Sequence, residues 1–537
     1  MRLPRHAWGK GGTPLLLSPS GLRFLFLEKK MTPPFRVEGR TLHPTLPDTA
    51  PRKPDTSYRN RSMHTKMRNV ALLLFLHFFL LPHPVAAYTI FTEQNETTGK
   101  IGVYYWSLED IPVTYLLDGG PQGMLSDVDL EAFIRKNLQP WTAVDTAYIA
   151  FESMGRTDED LNVETLLDDP NSPYLLIGDG IHEIIIDEDG SIMAELGADP
   201  ETVIGFGIPV VDGDASLPEN PFDGRILDGF ILLNTSIDFP EEVYAATITH
   251  EVGHFIGLGH TTVVPQTFTE NFADTEAVAK TPTMYAFTLP DPPGCAPLLT
   301  LEADDVAALS ALYPACGSTE RSGAIEGVVR TSGGTPVFGA SVVALKMAGE
   351  QIETAVSGLS GYRTGPDGGG EFRIAGLPPG EYAIRVQPIT PREMGMGPET
   401  VGLLFSDADT FFRCEFLDDL RCASETPPPD ARRFQVSAGQ RITGIEIVVN
   451  GDNPSYEVRS EQGSGGALPY VEETPEGDFP DCRGATTAES GETTAQSEET
   501  DAGCGCLLRP GQNVPRGWFL LPLLLALFPF LRKGFRR

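Results

Sequence analysis

"HEVGHFIGLGH", residues 250–260, puts three histidines and one glutamate into eleven residues. The chain of 537 residues has nine histidines, and His182 is the only other one in its central part. On a helix, His250 and His254 lie four residues apart, so their rings project from one face, one turn apart. Two imidazoles so placed can reach one Zn²⁺ at about 2.0–2.1 Å each. Glu251 follows the first of them, where its carboxylate can reach a water on the metal without entering the coordination sphere. Gly257 lets the backbone leave the helix in a conformation costly for any residue with a side chain. That turn brings His260 back as a third ligand. Three neutral histidines leave one position open for water, as in catalytic zinc sites, whereas a structural site is closed by four protein ligands.

Two histidines at this spacing also occur for packing or capping, so His250 and His254 alone decide little. The glycine turn and the third histidine make sense only around a metal. Zinc there lowers the pKa of a bound water towards about 7 and polarises a carbonyl, leaving Glu251 to act as general base. Downstream, "TPTMYAF" (281–287) places Met284 twenty-four residues after His260.

HExxHxxGxxH followed by a methionine turn resembles the signature of the metzincin zinc peptidases. Within them the chain looks most like a matrixin: Thr261 follows the third histidine, Tyr285 follows Met284, and "DDVAALSALY" (304–313) is similar to the C-terminal helix of that family. The resemblance implies an α+β catalytic domain, with a twisted mixed sheet, an active-site helix and a C-terminal helix. His250, His254 and His260 then bind zinc, Glu251 serves as general base in peptide hydrolysis, and Met284 lies beneath the ligands as an apolar base. "VIGFGIPVV" (203–211) looks like the edge strand that pairs with an extended substrate. Two departures stand out. Only His182 is available for the second, structural zinc of animal matrixins, so that zinc is expected to be absent. No cysteine precedes Cys295, so no thiolate can cap the zinc for latency.

The surrounding sequence supports one α/β domain over 88–316. "IPVTYLLD" (111–118), "YIAFES" (148–153), "HEIIIDE" (182–188) and "DGFILLN" (228–234) read as strands bounded by Gly, Asp and Pro. "DVDLEAFIRKNLQPW" (127–141) has helical spacing, with Leu130, Phe133, Ile134 and Leu138 on one side. The metal-bearing helix is expected to start at Asp238 to Pro240 and stop at Gly257, and a last helix to span 301–314. Trp106 and Trp141 read as core anchors. "DEDGS" (187–191) gathers carboxylates at a glycine turn and is a candidate for Ca²⁺, but it lacks EF-hand spacing and also reads as an acidic solvated turn.

Residues 321–451 change character. "AIEGVVR" (324–330), "ASVVALK" (340–346), "GEFRIAGLPPGEYAIRV" (370–386) and "ITGIEIVVN" (442–450) are strands between Gly-, Pro- and Asp-rich turns, as in a small all-β sandwich. The segment resembles carboxypeptidase regulatory-like, prealbumin-like modules, which implies a spacer or adhesion unit. Residues 452–503 read as a disordered acidic spacer. Cys295 with Cys316, and Cys414 with Cys422, are close enough in sequence to pair in an oxidising compartment.

Residues 67–87, "MRNVALLLFLHFFLLPHPVAA", have the basic start, apolar core and small-residue end of a signal peptide. Residues 1–66 then read as a mis-assigned or disordered leader, with Met63 or Met67 the real beginning. The tail, 504–537, joins Cys-Gly-Cys, an apolar run from Trp518 to Leu531 and a basic end. It resembles the MYXO-CTERM sorting signal, which implies transient or anchored membrane association. The formal net charge of -34 argues against a nucleic-acid partner. The expectation is therefore an exported monomer, extracellular or at the cell surface (the outer membrane), that cuts proteins or peptides. The alternative is a cell-surface binding or adhesion protein whose zinc site is structural or inactive; Glu251 separates the two, since a purely structural site needs no carboxylate there.

Overall fold

The computed structural model describes residues 89–94, 101–168, 172, 174, 180–211, 224–289, 292–361, 369–389, 408–417, 420–422, 426–450 and 459–462. The leader, the signal segment, most of the acidic spacer and the sorting tail lie outside the described residues. The protein is a mixed α and β structure, rich in sheet and with few helices. Among the described residues no helix is long and apolar enough to cross a membrane.

In the first part, a short ribbon pairs β1 (Thr92–Gln94) with β2 (Ile101–Val103). The main sheet has five strands: β3 (Val113–Leu117), β4 (Phe151–Arg156), β5 (Glu183–Asp187), β6 (Gly205–Val211) and β7 (Ile226–Asn234). Their spatial order is β4-β3-β5-β7-β6. Strand β3 runs parallel to β4 and β5, and β5 parallel to β7, while β6 lies antiparallel along β7 at the edge. β5 is buried at every position and β7 at all but one, which matches their near-continuous apolar sequences and the two covered faces of a parallel sheet. The strand expected at 148–153 instead occupies 151–156, displaced towards the glycine at 155.

Helix α1 (Leu130–Thr142) starts where Asp129 accepts the Ala132 N–H at 3.2 Å, and it buries Leu130, Phe133, Ile134, Leu138 and Trp141. After the single turn α2 (Ser191–Glu195), helix α3 (Glu241–Phe255) crosses the sheet. Asp238 does not cap α3: Pro240 is itself the N-cap, its ψ of 150° extended, and Glu241 and Glu242 supply the negative charge in the first turn. The short α4 (Thr275–Val278) lies in the long segment between His260 and Met284. Helix α5 (Ala303–Leu312) then closes this part, and α6 (Ser318–Arg321) leads into the next.

The second part is all β. One sheet runs β10-β9-β12-β13-β14 with β15 also on β12, and the other runs β11-β8-β16-β17. The strands are β8 (Gly323–Thr331), β9 (Ser341–Ala348), β10 (Gln351–Leu359), β11 (Glu371–Leu377), β12 (Gly380–Gln387), β13 (Glu415–Phe416), β14 (Leu420–Arg421), β15 (Arg433–Val436), β16 (Gln440–Val449) and β17 (Arg459–Gln462). Cys414 and Cys422 form a disulfide across the β13–β14 hairpin. β17 falls within the stretch read as spacer and adds a strand to β16, so the sheet reaches beyond residue 451.

The two parts share one core. Ile248 and Val252 of α3 and Leu309 of α5 belong to the same buried cluster as Val342, Val356, Phe372 and Ile445. Strand β11 passes so close to α5 that a side chain at Gly376, whose φ is +69°, would meet the Ala307 Cα at 2.9 Å.

A buried carboxylate ties the first sheet together. Asp118, just past β3, is 0 % exposed and accepts the N–H groups of Gly120 (2.7 Å), Leu161 (3.1 Å) and Ile186 (3.0 Å). Burial raises its pKa, and those three donors oppose the rise. Asp118→Ala strands these donors and should cost on the order of 3 kcal/mol in denaturant unfolding. A loss below about 1 kcal/mol would show that water replaces the carboxylate there.

Candidate metal centre

The helix of His250 and His254 ends as its sequence implies. Gly257 has φ +95°, and a Cβ there would sit 2.4 Å from the Tyr104 carbonyl, so both conformation and space demand glycine. The Gly257 N–H returns to the His254 carbonyl (2.9 Å) and the Leu258 N–H to that of Gly253 (2.8 Å). The last carbonyls of the helix and turn all find donors. Trp106 Nε1 donates to Phe255 (3.0 Å), the Tyr313 hydroxyl to Ile256 (2.7 Å) and the Phe91 N–H to Gly257 (2.7 Å). Trp141 Nε1 donates to the Thr249 carbonyl at 2.8 Å. The two tryptophans expected as core anchors thus grip α3 immediately before His250 and immediately after His254.

His250, His254 and His260 are brought together, their ligand atoms all within 4.8 Å of one another. His250 Nε2 and His260 Nε2 each lie 3.1 Å from His254 Nε2. His250 Nδ1 faces the Thr283 carbonyl and His254 Nδ1 the Leu258 carbonyl, each at 2.7 Å. A carbonyl only accepts, so both Nδ1 atoms carry the proton, and both Nε2 atoms of the neutral rings present lone pairs. Burial, with His260 beside it, pushes the His250 imidazole down to about 3, and burial and the neighbouring rings hold His254 well below its ordinary value. Neutral rings with Nε2 lone pairs turned on one point, and His260 beside them, could hold a cation. Two nitrogens at about 2.05 Å from a tetrahedral ion are about 3.3 Å apart, close to the separation here. The residues therefore fit a divalent metal ion, and the carbonyls behind the rings fix their tautomers and directions.

Glu251 of α3 lies against the edge strand, beside Gly205 and Gly207. It is buried, burial pushes its carboxyl up to about 8, and the Gly207 N–H opposes the rise. Strand β6 approaches because its glycines leave room. A Cβ at Gly207 would lie 2.0 Å from the Glu251 carbonyl oxygen, and one at Gly205 would lie 2.9 Å from Glu251 Cγ.

Met284 is buried beneath α3. A Cβ at Gly253 would meet its Sδ at 2.2 Å, so the glycine inside the motif is the seat of the methionine. The Met284 carbonyl accepts the Thr261 N–H at 2.9 Å, linking the methionine turn to the residue after the third ligand. Asp305 holds that turn, accepting the N–H groups of Thr283 (2.9 Å), Met284 (3.0 Å) and Glu302 (2.9 Å). Burial and the adjacent Asp304 push the Asp305 carboxyl up to about 8.

Sequence reasoning missed the seats at Gly253 and Gly207 and the work of Asp304 and Asp305. A signal existed for the acids: two aspartates in succession open a helix that is otherwise almost wholly apolar. Among the described residues no other His, Cys, Asp or Glu group meets in this way. In "DEDGS", Asp187 accepts from the Met193 N–H (2.9 Å) and Asp189 from that of Ser191 (2.9 Å), so these carboxylates cap α2. His182 pairs through Nδ1 with Asp228 at 2.9 Å and packs against Trp106.

Gly253→Ala should displace Met284 and cost about 1–3 kcal/mol, an overpacking penalty far above the small gain in helix propensity. A thermal midpoint at or above that of the parent would show that the methionine relocates freely. Set against known proteins, the chain matches no protein-family model and no curated protein, so the centre is understood from its own geometry.

Proposed function

We propose that the protein is an exported zinc metalloendopeptidase of matrixin-like architecture, with its β part an accessory sandwich. The observation that carries this reading is the convergence of three histidine Nε2 atoms, two of them on the helix that also carries the buried Glu251. A structural site has no use for such a carboxylate. Zinc at this centre would supply Lewis acidity, polarising a peptide carbonyl and making a water acidic enough to attack near neutral pH.

The protein's own groups account for the rest. His250, His254 and His260 hold the ion in neutral form. Glu251 accepts the proton of the attacking water as the carbon–oxygen bond forms, then passes it to the amine as the carbon–nitrogen bond breaks. Strand β6, at the edge of its sheet, offers an extended peptide a row of backbone partners beside Glu251. Met284, seated under Gly253, gives the ligand cluster an apolar floor. Export and attachment to the cell surface follow from segments 67–87 and 504–537, which lie outside the described residues.

Glu251→Gln should keep the metal and lower turnover of a casein or peptide-library substrate by at least about 100-fold. His254→Ala should lose the metal altogether. Both are read by metal content after dialysis and by chelator-sensitive cleavage. A metal-loaded parent without any such cleavage would favour the binding-protein reading, and full activity in Glu251→Gln would remove the glutamate from its role.

A further inference from the structure

We propose that the β part is a working element of the metal centre: Ser357 and Ser341 position the third ligand, His260, through the two residues that follow it. The inference rests on the metal-binding reading of the three histidines. Ser357 lies on β10, where its N–H donates to Asp304 Oδ1 at 2.6 Å and its hydroxyl to the same oxygen at 3.1 Å. The other oxygen of Asp304 accepts the hydroxyl of Thr261, which directly follows His260. Ser341, at the start of β9, donates its hydroxyl to that of Thr262 at 2.9 Å. Thr261, Asp304, Ser341 and Ser357 are each 2 % exposed or less, so no bulk water can replace a lost partner.

The same face of the β part holds the rest of the segment that leads to Met284. Val263 is buried with Val343, Leu345 and Met347. Arg385 Nη2 donates to the Thr267 hydroxyl at 3.1 Å, and Lys280 Nζ to the Ile352 carbonyl at 3.0 Å. His250 and His254 are fixed by their helix, but His260 sits beyond it. Its direction depends on the chain on either side, and on the C-terminal side the hydroxyls of Thr261 and Thr262 tie that chain to the β part, Thr262 directly through Ser341 and Thr261 through Asp304 and Ser357. A spacer would touch the metal-bearing part at its surface; here two buried contacts fall on residues 261 and 262.

The test measures zinc affinity of the full chain by competition with a chromogenic chelator, with the visible spectrum of the Co²⁺-loaded protein as a second readout. The double variant Ser341→Ala/Ser357→Ala should bind zinc about tenfold more weakly and shift the Co²⁺ bands, as loss of groups behind metal ligands does elsewhere. Ser357→Ala alone should lose about threefold, and keeps the test available if the double variant does not fold. Thr261→Ala should weaken zinc binding and Thr261→Ser should restore it, because the hydroxyl is the contact. Ile447→Ala, a core truncation in the other sheet, should lower thermal stability and leave zinc affinity and the Co²⁺ spectrum unchanged. Parent-like zinc binding in the serine variants, or an equal loss in Ile447→Ala, overturns the proposal while leaving the metal reading intact. A parent chain that binds no zinc through His254 overturns both.

Discussion

Everything at the centre depends on three imidazoles meeting at one point. Left alone, that arrangement is unfavourable for the helical pair: with both Nδ1 atoms protonated, Nε2 of His250 and Nε2 of His254 face each other at 3.1 Å without a proton between them. The fold holds them there by occupying the opposite nitrogens, binding Nδ1 of His250 to Thr283 and Nδ1 of His254 to Leu258. One carbonyl belongs to the methionine turn and the other to the glycine turn. The two loops that flank the centre therefore orient the two helical histidines, and a cation there would relieve the repulsion that the loops impose.

The remaining packing protects this orientation. Trp141 and Trp106 bond to α3 on either side of the ligand pair, and Gly253, Gly205 and Gly207 let Met284 and β6 approach the helix closely. Most of these contacts would be broken by a single added methyl group. Interiors are dense enough that such a shift is transmitted rather than absorbed. The precision of the centre is thus spread over residues outside the three histidines.

Much of the centre was legible in the sequence because its chemistry is local. The i, i+4 histidines, the glutamate between them and the glycine that ends the helix all lie within eleven residues, and helical periodicity alone puts them in place. The buried strands β5 and β7 were legible for a similar reason, being apolar almost throughout. Long-range contacts were not. Gly253 is an ordinary helix residue until Met284, far along the chain, is placed beneath it. Strand β10, "QIETAVSGL", escaped notice because it mixes polar and small residues, yet it carries Ser357. Asp304 looks like a helix-start acid, and its partners, Thr261 and Ser357, come from opposite directions in the chain. Helix α3 starts within the expected range, but its N-cap is Pro240, and no side chain caps it.

The division of the chain into two parts, clear from composition, does not correspond to a division of labour. Asp304 and Asp305 adjoin on one buried turn and face different ways. Asp305 spends its oxygens on the methionine turn, and Asp304 joins the residue after His260 to a strand of the β part. Two neighbouring buried carboxyl groups are costly, and burial raises both pKa values even though their donors oppose the rise. Each is kept by donors drawn from segments that must meet for the centre to exist. The two carboxyl groups act as assembly conditions: α5, the methionine turn, the loop after His260 and β10 are satisfied together or not at all. An apolar helix start would pack equally well against several registers of those segments, whereas a pair of carboxylates with matched donors accepts one.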